Sequence, residues 1–291
     1  MKKYLGVDGG GTSTSFLLFD HDGKELDHLE FDSLHFMTVG FSNMKKGFEK
    51  VKEYFIEKGY KVEEFDIVMG LGGYGSDDQV RNQIDEVISS VFPQAKVMSD
   101  SQLAMIAALD GSKGVFLISG TGSIAMYNDG EKIHRQGGFG YQIGDEGSGF
   151  WIGKKILQLF SQQVDERIER TDVYDLTLKH FNITNPYGII ALLNENPNEY
   201  RFRVASLGKV FSKCKDPNID LIFQEAGREL AAIANGFKIK EKTKIAFGGS
   251  VLTHNKIVRE ACISALNPYF EVYEAKNKVE YAVYILRNNK E

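Results

Sequence analysis

The segment GVDGGGTSTSFLLFD, residues 6–20, sets an aspartate and three consecutive glycines between two apolar runs. Glycine loses more conformational freedom on folding than any other residue, so three in a row are kept where the backbone must turn tightly or meet something closely. The pattern predicts strands over 3–8 (KYLGVD) and 15–20 (SFLLFD), joined by a turn at 9–11. A third strand, 25–31, follows Asp22-Gly23, a dipeptide that favours hairpins between apolar runs. The same order restarts at 114–140: an apolar strand, the turn Ser119-Gly120-Thr121-Gly122-Ser123, a second strand, Asp129-Gly130 and a third strand. FDHDGKELDHL (19–29) and MYNDGEKIHRQ (126–136) hold matching places. An internal repeat of this kind predicts two α/β lobes of like topology, with the join near Gly111.

Between and after the repeats, helical spacing covers 42–58, with Ser42 as an N-cap, and 76–91, with Asp77 and Asp78 in the first turn. Strands are expected at 65–73 and 95–100, followed by a helix at 101–109. In the second half, helices are expected at 147–163, 172–181, 199–214, 218–237 and 255–266, and 194–200 reads as a surface turn. Strands at 244–249 and 269–275 and a closing helix from Lys276 to Arg287 complete the pattern. The first lobe therefore comprises 1–111 plus a C-terminal helix at about 276–291, and the second 112–275 with a helical insertion.

Gly10, Gly11 and Thr12 let backbone N–H groups converge on an anion beside a hydroxyl. No GxxxxGK[ST] is present, and the turn leads into a strand rather than a helix, so it is neither a P-loop nor a dinucleotide fingerprint. It reads as a β-turn-β phosphate clamp, with Asp8 placed to reach a Mg²⁺ on the same phosphates through water. Gly120, Thr121 and Gly122 occupy the corresponding turn of the second lobe, and two such hairpins can hold one polyphosphate. Gly248-Gly249-Ser250 ends a further strand before a helix, an arrangement suited to a nucleoside lying against backbone. Asp100 stands where a strand gives way to a helix. There either Asp100 or Ser99 serves as an N-cap, or Asp100 is a base that takes a proton from an attacking hydroxyl. In GGFGYQIGDEGSGFWIGKK (137–155), Asp145 and Glu146 precede a helix; they are either dipole-favoured acids or ligands for substrate hydroxyls, with Phe139 and Tyr141 as a wall against a sugar face. His35, after the third strand, lies in a loop able to reach a cleft, whereas His21 and His28 sit in or beside a hairpin turn and His134, His180 and His254 lack partners at ligand spacing.

The residue balance excludes several classes. A net charge of −5 offers no basic field for nucleic acid or an anionic membrane, and no apolar run approaches bilayer length. The two lysines at the N-terminus are followed by only a brief apolar run before Asp8, so no secretory signal is expected. Two cysteines, Cys214 and Cys262, allow no disulfide framework, and a cytoplasmic setting fits best.

LGVDGGGTST, SDSQLAMIAAL, FLISGTGSIA, GGFGYQIGDEGSGFWIG and AFGGSV, in that order over residues 4–251, resemble the BadF/BadG/BcrA/BcrD-type ATPase family. N-acetylglucosamine kinases belong to it, within the sugar kinase, Hsp70 and actin superfamily. The resemblance implies two RNase-H-like lobes, each a mixed sheet flanked by helices, with ATP and Mg²⁺ in a cleft between them. It implies phosphate contacts at Gly10, Gly11, Thr12, Gly120, Thr121 and Gly122, nucleoside contacts at Gly249 and Ser250, Asp100 as general base, and Asp145 as a sugar ligand, with Ser123, His35 and Phe139 at the same substrate. It also implies a homodimer. In animal N-acetylglucosamine kinases an asparagine stands where Ile124 is here, another where His35 is, and a tryptophan where Phe139 is. The donor half of the pattern is thus intact, and the acceptor is an N-acetylglucosamine-, glucosamine- or related amino-sugar hydroxyl. Two other readings are an ATPase that activates a partner enzyme, whose cysteine cluster ligands Cys214 and Cys262 do not match, and a sugar-sensing protein without catalysis.

Overall fold

Strand β1 (Lys3–Gly9) holds the centre of a five-stranded sheet in the computed structural model, which describes residues 2–75 and 77–288. On one side it pairs antiparallel with β2 (Ser13–Phe19), and β2 with β3 (Glu25–Asp32). On the other run β4 (Phe65–Leu71) and β5 (Lys96–Ser99), both parallel. Parallel neighbours need crossovers. Helices α1 (Phe36–Glu57) and α2 (Asp78–Val91) supply them, and α3 (Asp100–Ala108) follows β5.

Side chains alternate across a strand, so β1 presents Leu5 and Val7 to one face and Tyr4, Gly6 and Asp8 to the other. The first face joins Phe16, Leu18, Ile67 and Met69 to Phe48, Val51 and Phe55 of α1 and Ile84 and Ile88 of α2. The second packs Tyr4, Leu17, Phe19 and Val68 against Leu103 and Ala107 of α3 and against Ala282 and Val283 near the C-terminus. Two glycines open this second face. A Cβ on Gly6 would run into the backbone of Glu280, and one on Gly70 of β4 would stand 2.6 Å from Leu103 Cβ and 3.2 Å from Asp100 Cα.

Residues 1–112 and 275–291 form one compact unit and 113–274 another. The second unit repeats the first in topology. Its sheet is built on β6 (Gly114–Ser119), which pairs antiparallel with β7 (Ser123–Asn128), and β7 with β8 (Ile133–Gly137). Then come the helices α4 (Gly149–Val164), α5 (Asp172–Phe181), α6 (Gly188–Glu195), α7 (Pro197–Val210) and α8 (Pro217–Asn235). Strand β9 (Thr243–Gly248), helices α9 (Ser250–His254) and α10 (Lys256–Ala265) and strand β10 (Phe270–Tyr273) finish the unit, with β9 and β10 parallel to β6. Its core joins Val115, Leu117, Ala125 and Ile245 to Ile156, Phe160, Leu207, Phe223 and Leu230. The weak repeat seen in sequence thus corresponds to one strand order used twice, β3-β2-β1-β4-β5 and β8-β7-β6-β9-β10.

Several boundaries differ from expectation. Gly40 adopts φ 75° and ψ 158°, outside helical space, so an additional turn over 36–39 precedes the regular helix, which lies beyond Gly40 as the spacing at 42–58 predicts. The cap is His35 rather than Ser42: its Nδ1 accepts from the Met37 N–H. The segment 194–200 is not a surface turn but the meeting of α6 and α7, with Asn196 extended between them and Pro197 opening the second helix. The helix expected from Lys276 is instead extended to Lys278, makes a 3₁₀ turn over Val279–Tyr281 and becomes α11 (Ala282–Asn288) afterwards. The Asn277 side chain anchors it by donating to Asp110 at 3.2 Å. Expectations for Ser76 and for 289–291 lie outside the described residues.

Because the obstacle at Gly6 is backbone, it cannot swing aside. Gly6→Ala is expected to cost about 1–3 kcal/mol or more of stability, read as a lower denaturant midpoint with an unchanged slope.

Candidate functional site

In the first unit the parallel register sets Asp8 of β1 opposite Gly70 of β4. Gly70 lacks a side chain and so admits the start of α3, which brings Asp100 to the face of the sheet that carries Asp8. Ser99 is the N-cap of α3, its Oγ accepting from the Gln102 N–H at 3.2 Å. Asp100 is therefore relieved of capping. Its Oδ1 accepts from its neighbour Ser101 N–H at 2.7 Å, and the carboxylate is half-buried. Glu280, 7% exposed, approaches from the C-terminal segment. Burial pushes the Asp8 carboxyl up to about 7, and the negative charges of Glu280 and Asp100 push the same way.

The β1–β2 turn is closed by Gly10 N–H donating to Ser13 O at 3.0 Å. Gly11 and Thr12 are exposed, and their N–H groups have no protein acceptor among the described residues. Buttressing comes from behind: Ser33 Oγ donates to Gly10 O at 3.0 Å, Leu34 N–H to the buried Thr14 Oγ1 at 3.0 Å, and Gly72 N–H to Gly9 O at 2.8 Å. These contacts fix His35 against Gly72, where an added Cβ would lie 2.8 Å from the imidazole. His35 stacks on Phe36 at 4.9 Å between ring centres. Its Nδ1 is an acceptor, so the proton of the neutral ring sits on Nε2. Burial holds the imidazole below its ordinary range, with the Asp100 charge acting in opposition.

The second unit builds an analogous turn differently. Gly120 N–H donates to Gly122 O at 2.9 Å, and the first amides of α4 are spent on the same loop: Gly149 N–H to Gly120 O at 2.7 Å and Phe150 N–H to Thr121 O at 3.3 Å. The N–H groups of Thr121 and Gly122 find no protein acceptor among the described residues. Gly249, at φ 78° and ψ 150°, packs directly on this turn; a Cβ there would collide with the Ser119 carbonyl. Ser250 opens α9 and is exposed.

Asp145 adopts a left-handed φ of 59° and is 3% exposed. It lies against Gly122, where a Cβ would stand 2.6 Å from its Oδ2, and is ion-paired to Arg201 at 3.0 Å. Ser123, expected at substrate, is 3% exposed and donates its Oγ proton to the Glu146 carbonyl at 2.7 Å, holding that turn to β7. Phe139 is 74% exposed, and its Cβ would be 3.3 Å from one added at Gly144. The fold thus gathers Asp8, Gly10–Thr12, His35 and Asp100 in one unit, and Gly120–Ser123, Asp145 and Gly249 in the other. Sequence reasoning missed Glu280 and Arg201. Both come from helical or 3₁₀ segments with no motif around them, and neither has a local signal that ties it to its partner.

Two α/β units with the same mixed strand order, each carrying a glycine-hydroxyl turn with free amides, define the architecture of the actin-like ATPases and sugar kinases. The model of the BadF/BadG/BcrA/BcrD ATPase family matches residues 5–283, and the chain belongs to that family. It is 28% identical over 238 residues to an N-acetylmuramic acid/N-acetylglucosamine kinase of Clostridium acetobutylicum, covering 79% of this chain and 77% of that one. It is 24% identical to an N-acetyl-D-glucosamine kinase of Dictyostelium discoideum over 88% of each. In fold it matches, with a TM-score of 0.77 and 23% identity over 98% of this chain and 99% of the other, a Chromobacterium violaceum protein provisionally assigned as an N-acetylglucosamine kinase. No helix among the described residues is long and apolar enough to cross a membrane.

A raised carboxyl pKa means that the folded protein keeps a proton on Asp8 that the unfolded chain has already released above about pH 4. Between there and about 7 the folded state binds more protons, so this group's contribution to stability falls as pH rises. Thermal melts from about pH 5 to about pH 8 should show the wild type losing ground to Asp8→Asn as pH rises. Parallel profiles would count against the placement of Asp8.

Proposed function

We infer that the chain is an ATP-dependent kinase for a hydroxyl of an amino sugar of the N-acetylglucosamine or glucosamine type. The observation that carries this reading is the freedom of Asp100: Ser99 caps α3, leaving a half-buried carboxylate whose one hydrogen bond among the described residues is from Ser101 N–H. Family membership over nearly the whole chain and relatives named as amino-sugar kinases support it.

In this reading Asp100 takes the proton of the acceptor hydroxyl as that oxygen attacks the γ-phosphorus of ATP, and ADP leaves. The free amides of Gly11 and Thr12 and of Thr121 and Gly122 bind phosphate oxygens, and Gly10 and Gly120 shape their turns. Gly249 and Ser250 meet the nucleoside. The donors around Asp8 are hard carboxylate oxygens, and a divalent cation would offset both the burial and the neighbouring charges of Glu280 and Asp100 that raise its pKa, so these residues fit Mg²⁺. Asp8 would hold the ion, which would supply neutralisation of the phosphate charge. Asp145 and the Nε2–H of His35 engage the acceptor, Phe139 offers an apolar wall, and Ser123 steadies the Asp145 turn. The partner-activating alternative is disfavoured by Cys262: it is fully buried, and burial pushes its thiol up to about 12, away from the thiolate that cluster ligation requires.

ATP turnover measured against a panel of hexoses, hexosamines and N-acetylated hexosamines should be stimulated by an amino sugar. Asp100→Asn should lower that turnover by roughly 10²–10⁴-fold while ATP still binds. Full turnover in the variant would remove Asp100 from the mechanism, and no stimulation by any sugar would remove the kinase reading.

A further inference from the structure

Arg201 reaches Asp145 from α7, and its grip is unusual for an arginine. Such a side chain ordinarily holds a carboxylate by two parallel N–H bonds. Here Nη2 alone donates, to Asp145 Oδ2 at 3.0 Å, while Nε is buried without an acceptor among the described residues. A buried N–H left unpaired is unfavourable, so the one-handed geometry is imposed by the surroundings. Those surroundings are close. The guanidinium carbon lies 5.7 Å from the Tyr141 ring centre, and a Cβ on Gly122 would stand 2.5 Å from Nη2. Tyr200, next to Arg201 in the chain, packs edge-on against Phe150 at 5.6 Å, which sets the direction from which the arginine arrives.

One consequence concerns Asp145. Its charge is compensated through Oδ2, yet Oδ1 makes no hydrogen bond among the described residues. A two-handed arginine would have claimed both oxygens. The geometry points to Arg201 as a positioning residue for the acceptor: it holds Asp145 against the β6–β7 turn by one oxygen and thereby leaves the other to accept from a sugar hydroxyl. This rests on the amino-sugar kinase reading. Arg201 itself touches neither phosphate nor sugar in this account.

The test is steady-state kinetics of wild type, Arg201→Met and Arg201→Lys with N-acetylglucosamine and Mg·ATP, alongside thermal melts. Removing one member of a hydrogen-bonded ion pair should raise the KM for the sugar in Arg201→Met by roughly 30-fold or more, with the KM for ATP unchanged. Because the native grip uses one bond, Arg201→Lys should recover most of that loss. An unchanged sugar KM in an active Arg201→Met overturns the inference, as does a KM for ATP that rises in step. If Arg201→Met does not fold, Arg201→Lys still decides, since a loss there comparable to loss of the charge contradicts a single-bond role. A wild type that phosphorylates no amino sugar would instead defeat the kinase reading, and this inference with it.

Discussion

The close backbone approaches on the second face of β1 are the constraint on which the first unit depends. Gly6 admits the backbone of Glu280 and Gly70 admits the start of α3, so one sheet face receives carboxylates from three distant parts of the chain. Asp8 is the member held by the sheet itself, and it bears the electrostatic consequence: burial and two like charges favour its protonated form. An arrangement of this kind is unfavourable alone and becomes favourable when a cation joins it.

The second unit meets the same requirement by another route. Its turn is stabilised by donation from the first amides of α4, and Gly249 packs on it because no side chain intervenes. With the helix amides spent on the Gly120 and Thr121 carbonyls, the N–H groups of Thr121 and Gly122 are the ones without a protein acceptor among the described residues, so the loop rather than the helix end is the donor. Ser123 and Asp145 extend the arrangement, one tying Glu146 to β7 and the other pressed on Gly122 with Arg201. Identical strand order in the two units thus supports unlike chemistry, anionic around Asp8 and Asp100, mixed around Asp145 and Arg201.

Legibility followed the range of the interaction. The glycine turns at 9–12 and 120–122, the doubled strand pattern and Asp100 at a strand end were all readable, because each depends on residues within a few positions. Helix limits failed where tertiary contact overrode a periodic pattern: the segment from Lys276 stays extended to Lys278 and then turns as a 3₁₀ helix over Val279–Tyr281, which lays Glu280 over Gly6. The competition between Ser99 and Asp100 for the cap of α3 had two sequence-level answers, and it was resolved in favour of Ser99.

Sequence by itself determined the two α/β repeats, the glycine turns and the family, since apolar periodicity and glycine placement act through the local backbone. Tertiary structure decided that Glu280 sits beside Asp8, that Asp100 is free of capping, and that Asp145 is held by Arg201 through one oxygen. The physical reason is that these are contacts between charges far apart in the chain, set by which strands lie parallel and which faces glycine leaves open.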